Sequence, residues 1–321
     1  MIKPKKLKIG DTVAVIATSS PADPKRVTMA EKGLKALGLN PVFYPSCYAS
    51  HGHLSGTDEI RLKDLHDAFQ NTDHKGIICL KGGAGAMRLL NKINYDLVRT
   101  RPKLFVGFSD VTALHLAFTA KCNLTTVHGP MALSEMFQYE DGEVKLDQFT
   151  LASFQKAIFG DAPMGKIENP EGFEIQSLVG GTTSGPIIGG NLSLIAATLG
   201  TPYEIDTRGK ILFLEETHEP FYVIDRLLTA LALAGKFKDC NGIVLGTWTG
   251  CRAEEKKSYK GKDLSLDMII DEVITPYSKP MINGLYAGHN FPQISLPLGV
   301  NVTLDATNGT LYYNESHFDT N

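Results

Sequence analysis

A serine, a carboxylate and a histidine in this chain each stand just after an apolar run that reads as a strand, and together they could hydrolyse an amide. Ser109 lies in Gly-Phe-Ser-Asp-Val, between the apolar run 104–107 and a helical pattern that begins at Thr112 and carries Leu114, Leu116 and Phe118. A serine on such a strand-to-helix turn holds its hydroxyl at a helix N-terminus, where backbone N–H groups face any developing negative charge. The second glycine of the usual α/β-hydrolase elbow is missing, and a plain helix-capping serine fits the same place. Glu215 and Glu216 close the run 210–214, and His289 follows the run 281–285 within Ala287-Gly288-His289-Asn290. A serine nucleophile needs a base, and the base needs a carboxylate to fix its tautomer. Singly, His289 also reads as a turn histidine and Glu215 as a salt-bridge partner.

A fourth element is the loop Gly82-Gly83-Ala84-Gly85, which follows the apolar run 76–80. Consecutive glycines after a strand let the backbone approach a ligand and present bare amides, suited to an oxyanion. The dinucleotide fingerprint fails because Arg88 stands where its last glycine belongs, and the phosphate loop fails for want of a Gly-Lys-Ser/Thr ending. A tight turn of positive φ is the alternative. Gly189-Gly190-Asn191 reads as a structural turn with Asn191 capping the helix 192–199.

The elements that must carry these residues alternate in type. Strands at 12–17, 41–44, 76–80 and 104–107 are separated by helices at 27–37 and 56–70 and a helix through Met87, Leu89 and Leu90. Such alternation builds a largely parallel sheet covered on both faces, with ligands at the carboxyl ends of its strands. A weak helix at 146–158 and a stretch rich in proline, glycine and acidic residues then mark a crossover. Strands at 210–214, 241–246, 281–285, 300–304 and 310–313 and helices at 222–233 and 264–273 make a second unit. Asp225 and Arg226 fall on the first of those helices, Trp248 in a loop, and 252–262 in a polar, solvated run. The domains are therefore expected at 1–150 and 176–321, joined by 151–175.

Composition narrows the class. A chain of 321 residues, 43% hydrophobic, can bury a full core, and its net charge of −3 with no basic tract argues against nucleic acid or an anionic membrane surface. Its five cysteines have no close pair, which suits a reducing compartment. The apolar run 13–17 is too short for a secretion signal and no run reaches the roughly 18 residues of a membrane helix, so a cytosolic protein is expected. The histidines form no four-ligand cluster: His51 and His53 share a loop, and His115 sits on the helix after Ser109.

Several segments in order resemble the serine peptidase family of the LD-carboxypeptidases of murein recycling and the microcin-C-immunity peptidases. They are GDTVAVIATSSP, LKGGAGAMRLL, VGFSDVTALH, HGPM at 128–131, GGNLSLIAATLGTP, ILFLEE with EPFYVIDRLL, GIVLGTW, and GLYAGH with LPLG. The resemblance implies α/β architecture, with a flavodoxin-like N-terminal domain supplying the serine and a smaller C-terminal β/α domain supplying acid and base. It assigns nucleophile to Ser109, base to His289, orienting acid to Glu215, and oxyanion amides to Gly83 and Asp110. It further implies a cytoplasmic homodimer acting on a murein tetrapeptide, with neither metal nor organic cofactor. Relatives usually carry Arg-Gly-Gly-Tyr-Gly where this chain has Lys81-Gly82-Gly83-Ala84-Gly85, so Ala84 should leave a wider pocket. EPFYVIDRLL is closer to the murein branch; under the immunity reading Trp248 would stack on an adenine, and a non-enzymatic small-ligand domain is the reading from another class. Lys81, Arg88 and Arg226 are the cations available for a terminal carboxylate.

Overall fold

The computed structural model describes residues 1–140, 143–253 and 263–319; the polar run expected at 252–262 lies largely outside the described residues. The first sheet contains β1 (Thr12–Ile16), β2 (Asn40–Phe43), β3 (His74–Cys79), β4 (Leu104–Gly107) and β5 (Thr126–His128). These five run parallel in the order 2-1-3-4-5, the doubly wound order of flavodoxin-like folds. Helices α1 (Pro24–Ala36), α2 (Asp58–Gln70), α3 (Tyr95–Thr100) and α4 (Thr112–Cys122) cover it. The segment after β3, read as a helix through Met87, is a 3₁₀ turn at Ala86–Lys92.

A short antiparallel hairpin of β6 (Phe137–Glu140) and β7 (Glu143–Leu146) leads to α5 (Gln148–Phe159), which Asp147 caps through Thr150. Next come β8 (Gly165–Ile167), β9 (Gln176–Val179) and β10 (Thr182–Asn191), then α6 (Leu192–Ala197), whose cap is Asn191. The chain continues through β11 (Ile211–Thr217), α7 (Phe221–Leu233), α8 (Lys236–Asp239), β12 (Gly242–Thr249), α9 (Leu266–Val273) and β13 (Met281–Asn283). The last strands are β14 (Leu296–Leu298), β15 (Val300–Asp305) and β16 (Thr310–Tyr313). Strands β10 to β13 form the parallel centre of an eight-stranded sheet, with β9 antiparallel on one side and β15, β16 and β8 on the other.

Two features tie the halves together. β14 does not join its sequence neighbours: it pairs antiparallel with β5 and becomes the sixth strand of the first sheet. The run expected to be a turn at Pro297 is therefore strand, with Pro297 opposite Val127. Proline is tolerated on this short edge strand, where no further partner needs its missing N–H. The second tie is at Asn191, whose backbone N–H donates to the Thr112 hydroxyl across 3.1 Å and so pins the start of α4 to the end of β10. One apolar cluster spans both units, with Val13, Ile78 and Val127 sharing it with Phe213, Val244 and Leu304. Because unfolding either half strips partners from the other, far-ultraviolet circular dichroism and fluorescence of the single tryptophan, Trp248, should report one coincident transition in urea. A tryptophan transition separated from the loss of secondary structure would show the halves to be independent.

Candidate active site

Ser109 departs from ordinary backbone geometry. Its φ is +63°, in the left-handed region that a β-carbon disfavours by about 1–2 kcal/mol. Such strain persists where surroundings over-determine it. Here the carbonyl of the preceding Gly107 accepts a 2.8 Å bond from Nε2 of buried His115, fixing the strand end, while Val111 and Thr112 start α4 immediately. Burial pulls the His115 pKa down to about 4, so this ring serves as a neutral prop. Ser109 caps neither helical segment; its hydroxyl instead meets Nε2 of His289 at 2.8 Å.

His289 continues the chain of contacts. Its Nδ1 lies 2.7 Å from Oε2 of Glu215, which is wholly buried. That contact fixes the proton on Nδ1 and leaves Nε2 as acceptor for the serine proton. Burial alone would lower the His289 pKa, but the Glu215 hydrogen bond and charge, with the charge of Glu216, leave it raised. The loop is braced on several sides: Gln293 donates to the Gly288 carbonyl at 2.6 Å, and Thr247 donates to the Asn290 side chain at 2.7 Å. Gly288 is needed at its place, since a β-carbon there would come within 2.9 Å of Glu215 Oε2 at a φ of +137°. Phe108 supports the imidazole edge-on, its ring centroid 5.0 Å away, and itself packs on His128. His128, in the HGPM segment, is wholly buried, and burial drives its pKa well below the usual value.

Adjacent glutamates on one strand point to opposite faces, and the two diverge here. Glu216 accepts from Asn191 Nδ2, the Ser193 amide and hydroxyl, and the Thr217 amide, all at 2.7–2.9 Å, at the start of α6. Glu215 faces the histidine. Pairing between β11 and β12 slips between Leu214 and Glu216, an irregularity that re-aims the strand end at this point.

The glycine loop closes the site. A β-carbon on Gly82 would lie 2.9 Å from the Ser109 hydroxyl, and one on Gly83, at φ +123°, would overlap Ser20. Ser20 accepts from the Ala84 amide at 3.1 Å, and the buried Asp110 carboxylate accepts from the Ala86 amide at 2.8 Å. Fully buried Arg61 donates to the carbonyls of Thr18 and Gly85, at 2.5 and 2.9 Å, joining the loops after β1 and β3 at the switch point of the sheet. Ser20, Arg61 and Phe108 do not emerge from motif reasoning; the only sequence sign of Ser20 is its place in the Thr-Ser-Ser-Pro segment after the first strand.

A cavity of about 280 Å³ opens over Ser109 and His289, lined also by Lys81, Gly83, Met131 and Glu135. Ala84 lies exposed on the loop beside it. Three residues expected near substrate lie elsewhere. Arg88 is held by Asp58, with Nε at 2.9 Å. Arg226 lies over the Tyr222 ring at 5.5 Å on α7, and Trp248 is on β12 paired with Glu216, not in a loop. Among the described residues no cluster of three His, Cys, Asp or Glu side chains is placed to hold a metal, and the five cysteines are free.

The matches to known proteins agree with this architecture. Residues 13–129 match the LD-carboxypeptidase N-terminal domain, and residues 184–304 match the LD-carboxypeptidase C-terminal domain. The chain belongs to the LD-carboxypeptidase family. It is 38% identical to the probable murein peptide carboxypeptidase of Bacillus subtilis strain 168 over 308 residues, covering 96% of this chain and 93% of that one. The solved structure of muramoyltetrapeptide carboxypeptidase from Oxalobacter formigenes superposes with a TM-score of 0.77 at 27% identity, over 94% of this chain and 97% of that one. MccF in complex with glutamyl sulfamoyl guanosine gives 0.88 at 23% identity, over 99% of this chain and 100% of that one, a likeness of fold. Family membership makes the protein a hydrolase of the carboxypeptidase type. Among the described residues no helix is long and apolar enough to cross a membrane.

The strain at Ser109 makes a separable prediction. Ser109→Gly and Ser109→Ala both remove the hydroxyl, but only glycine relieves the left-handed backbone. Ser109→Gly should therefore be more stable than Ser109→Ala by about 1 kcal/mol in urea unfolding. Equal or reversed stabilities would show that no strain is stored there.

Proposed function

We propose that the protein is a serine-type LD-carboxypeptidase that hydrolyses the amide between a diamino acid and the terminal D-alanine of a murein tetrapeptide. The observation that carries this reading is the unbroken chain Ser109 Oγ, His289 and Glu215, at 2.8 and 2.7 Å, open to a cavity beside a glycine loop. His289 Nε2 takes the hydroxyl proton as Oγ attacks the carbonyl carbon. The oxyanion then faces the amides of Gly83 and Asp110, and Glu215 stabilises the imidazolium. His289 next gives its proton to the departing amine, the C–N bond breaks and D-alanine leaves. Water, deprotonated by the same nitrogen, attacks the acyl-enzyme and restores Ser109. No organic cofactor or metal ion enters these steps.

The murein assignment is supported by the 38% identity to the Bacillus subtilis relative and by the EPFYVIDRLL segment. We place the reaction in the cytoplasm, in peptidoglycan recycling, and carried out by a homodimer. The second reading, an immunity-type amidase, draws on the fold likeness to MccF. Incubation with tetrapeptide and, separately, with an aminoacyl-sulfamoyl nucleoside separates the two: free D-alanine from the first supports the murein reading, and turnover of the second alone overturns it.

Mutant kinetics test the unit. Ser109→Ala and His289→Ala should each cut kcat by several orders of magnitude, and the double variant should be no slower than the worse single one within about tenfold. Multiplying losses would mean that the two residues act separately. The pH profile tests the electrostatics. His289 works as base only when neutral, and its pKa lies above the ordinary 6.5, so kcat/KM should rise with pH through a midpoint above that value. Glu215→Gln removes the carboxylate that raises it; the acid limb should move to lower pH while the plateau falls by about 10⁴. An unmoved limb would contradict the contact.

A further inference from the structure

We propose that Lys81 recognises the carboxylate of the leaving residue and so confines cleavage to the last amide of the peptide; this rests on the hydrolase reading above. Sequence leaves Lys81, Arg88 and Arg226 equal as cations for that carboxylate, and the structure separates them. Arg88 is committed to Asp58, whose carboxylate also holds Arg61 at 2.7 Å and Lys92 at 3.1 Å and is kept well below the usual carboxylate range, first of all by Arg88. Turning Arg88 toward a substrate would dismantle that cluster. Arg226 is exposed on α7, stacked on Tyr222, and lines no part of the Ser109 cavity.

Lys81 differs in both place and partners. It precedes Gly82 directly, in the loop that abuts the Ser109 hydroxyl, and it lines the same cavity as Ser109 and His289. It is half-buried, and its Nζ makes a single long hydrogen bond among the described residues, 3.4 Å to the Pro21 carbonyl. A carboxylate brought there replaces a weak neutral contact with a charge-assisted bond of about 2.8 Å in a partly desolvated pocket. The opposite sign stands at Glu135, the one acid lining the cavity among the described residues. It repels a carboxylate and favours an ammonium, which orients the substrate with its acidic end at Lys81. Met131, Leu133 and Phe291 leave an apolar wall for a small aliphatic side chain such as that of alanine. A peptide continuing beyond the leaving residue would offer Lys81 a neutral amide and lose the ion pair, which disfavours internal cleavage.

The test compares kcat/KM on a tetrapeptide ending in free D-alanine with the same peptide ending in D-alaninamide, for the wild type, Lys81→Met and Lys81→Arg. The wild type should prefer the acid by about 10- to 100-fold, the range expected of a hydrogen bond to a charged group. Lys81→Met should bring the acid down toward the level of the amide, chiefly through KM, so that the ratio falls to near one. Lys81→Arg should recover most of the preference. A Lys81→Met protein with wild-type circular dichroism that keeps the acid preference overturns the role of Lys81 while leaving the hydrolase reading intact. A wild-type protein that releases product from neither peptide overturns both.

Discussion

The proton transfer proposed between Ser109 and His289 needs their 2.8 Å separation to hold to within about 0.5 Å, although the two residues are carried by different sheets. Everything at the seam serves that tolerance. β14 leaves its own half to extend the first sheet, and it follows the His289 loop almost at once, so His289 is tethered to the scaffold that carries Ser109. The bond from the Asn191 amide to Thr112 fixes the other side, joining the start of α4, next to Ser109, to the strand beside Glu215. Gln293 and Ser295 are drawn to Thr150 and Ser153 of α5 at 3.0 and 2.9 Å, so that helix too buttresses the loop.

The electrostatics depend on how two neighbouring carboxylates share the interior. Glu216 has four protein donors and satisfies its charge locally, at the start of a helix where negative charge is favoured. Glu215 has the imidazole on Oε2, and its other oxygen, Oε1, is buried without a hydrogen-bond partner among the described residues. Desolvation makes its ionised form costly, and a positive charge on His289 offsets that cost. The pair thus favours a protonated His289, the imidazolium that the proposed mechanism forms as Ser109 attacks.

Local pattern determined a good deal. Alternating apolar runs and turns were enough for four parallel strands of the first sheet, but not for the short β5 at Thr126–His128. The run 104–107 and the helix starting at Thr112 stand in the structure where the residues place them, as do the cap at Asn191 and the strand 310–313. Glu215 lies within β11, which continues to Thr217 past the apolar run 210–214, but that Ser109 and His289 follow strands was legible from their apolar runs. By contrast, the 3₁₀ turn at Ala86–Lys92 was not: apolar residues at Met87, Leu89 and Leu90 fit a helix as well as a tighter turn.

Only the tertiary structure decided which of these residues meet. Strand periodicity says that Glu215 and Glu216 face opposite ways, but which way each faces depends on the sheet above and below, and on a slip in pairing with β12 that no local signal announces. The same holds for the three cations: Arg88 and Lys81 lie seven residues apart in one segment, yet Asp58, brought in by α2, captures the first and leaves the second in the cavity. That Leu296–Leu298 would pair with β5 rather than with its own half was equally hidden. Sequence fixes periodicity and backbone preference, which are properties of neighbours along the chain. Partners 74 and 180 residues away, as Glu215 and Ser109 are from His289, are chosen by packing and by the few long-range hydrogen bonds that packing permits.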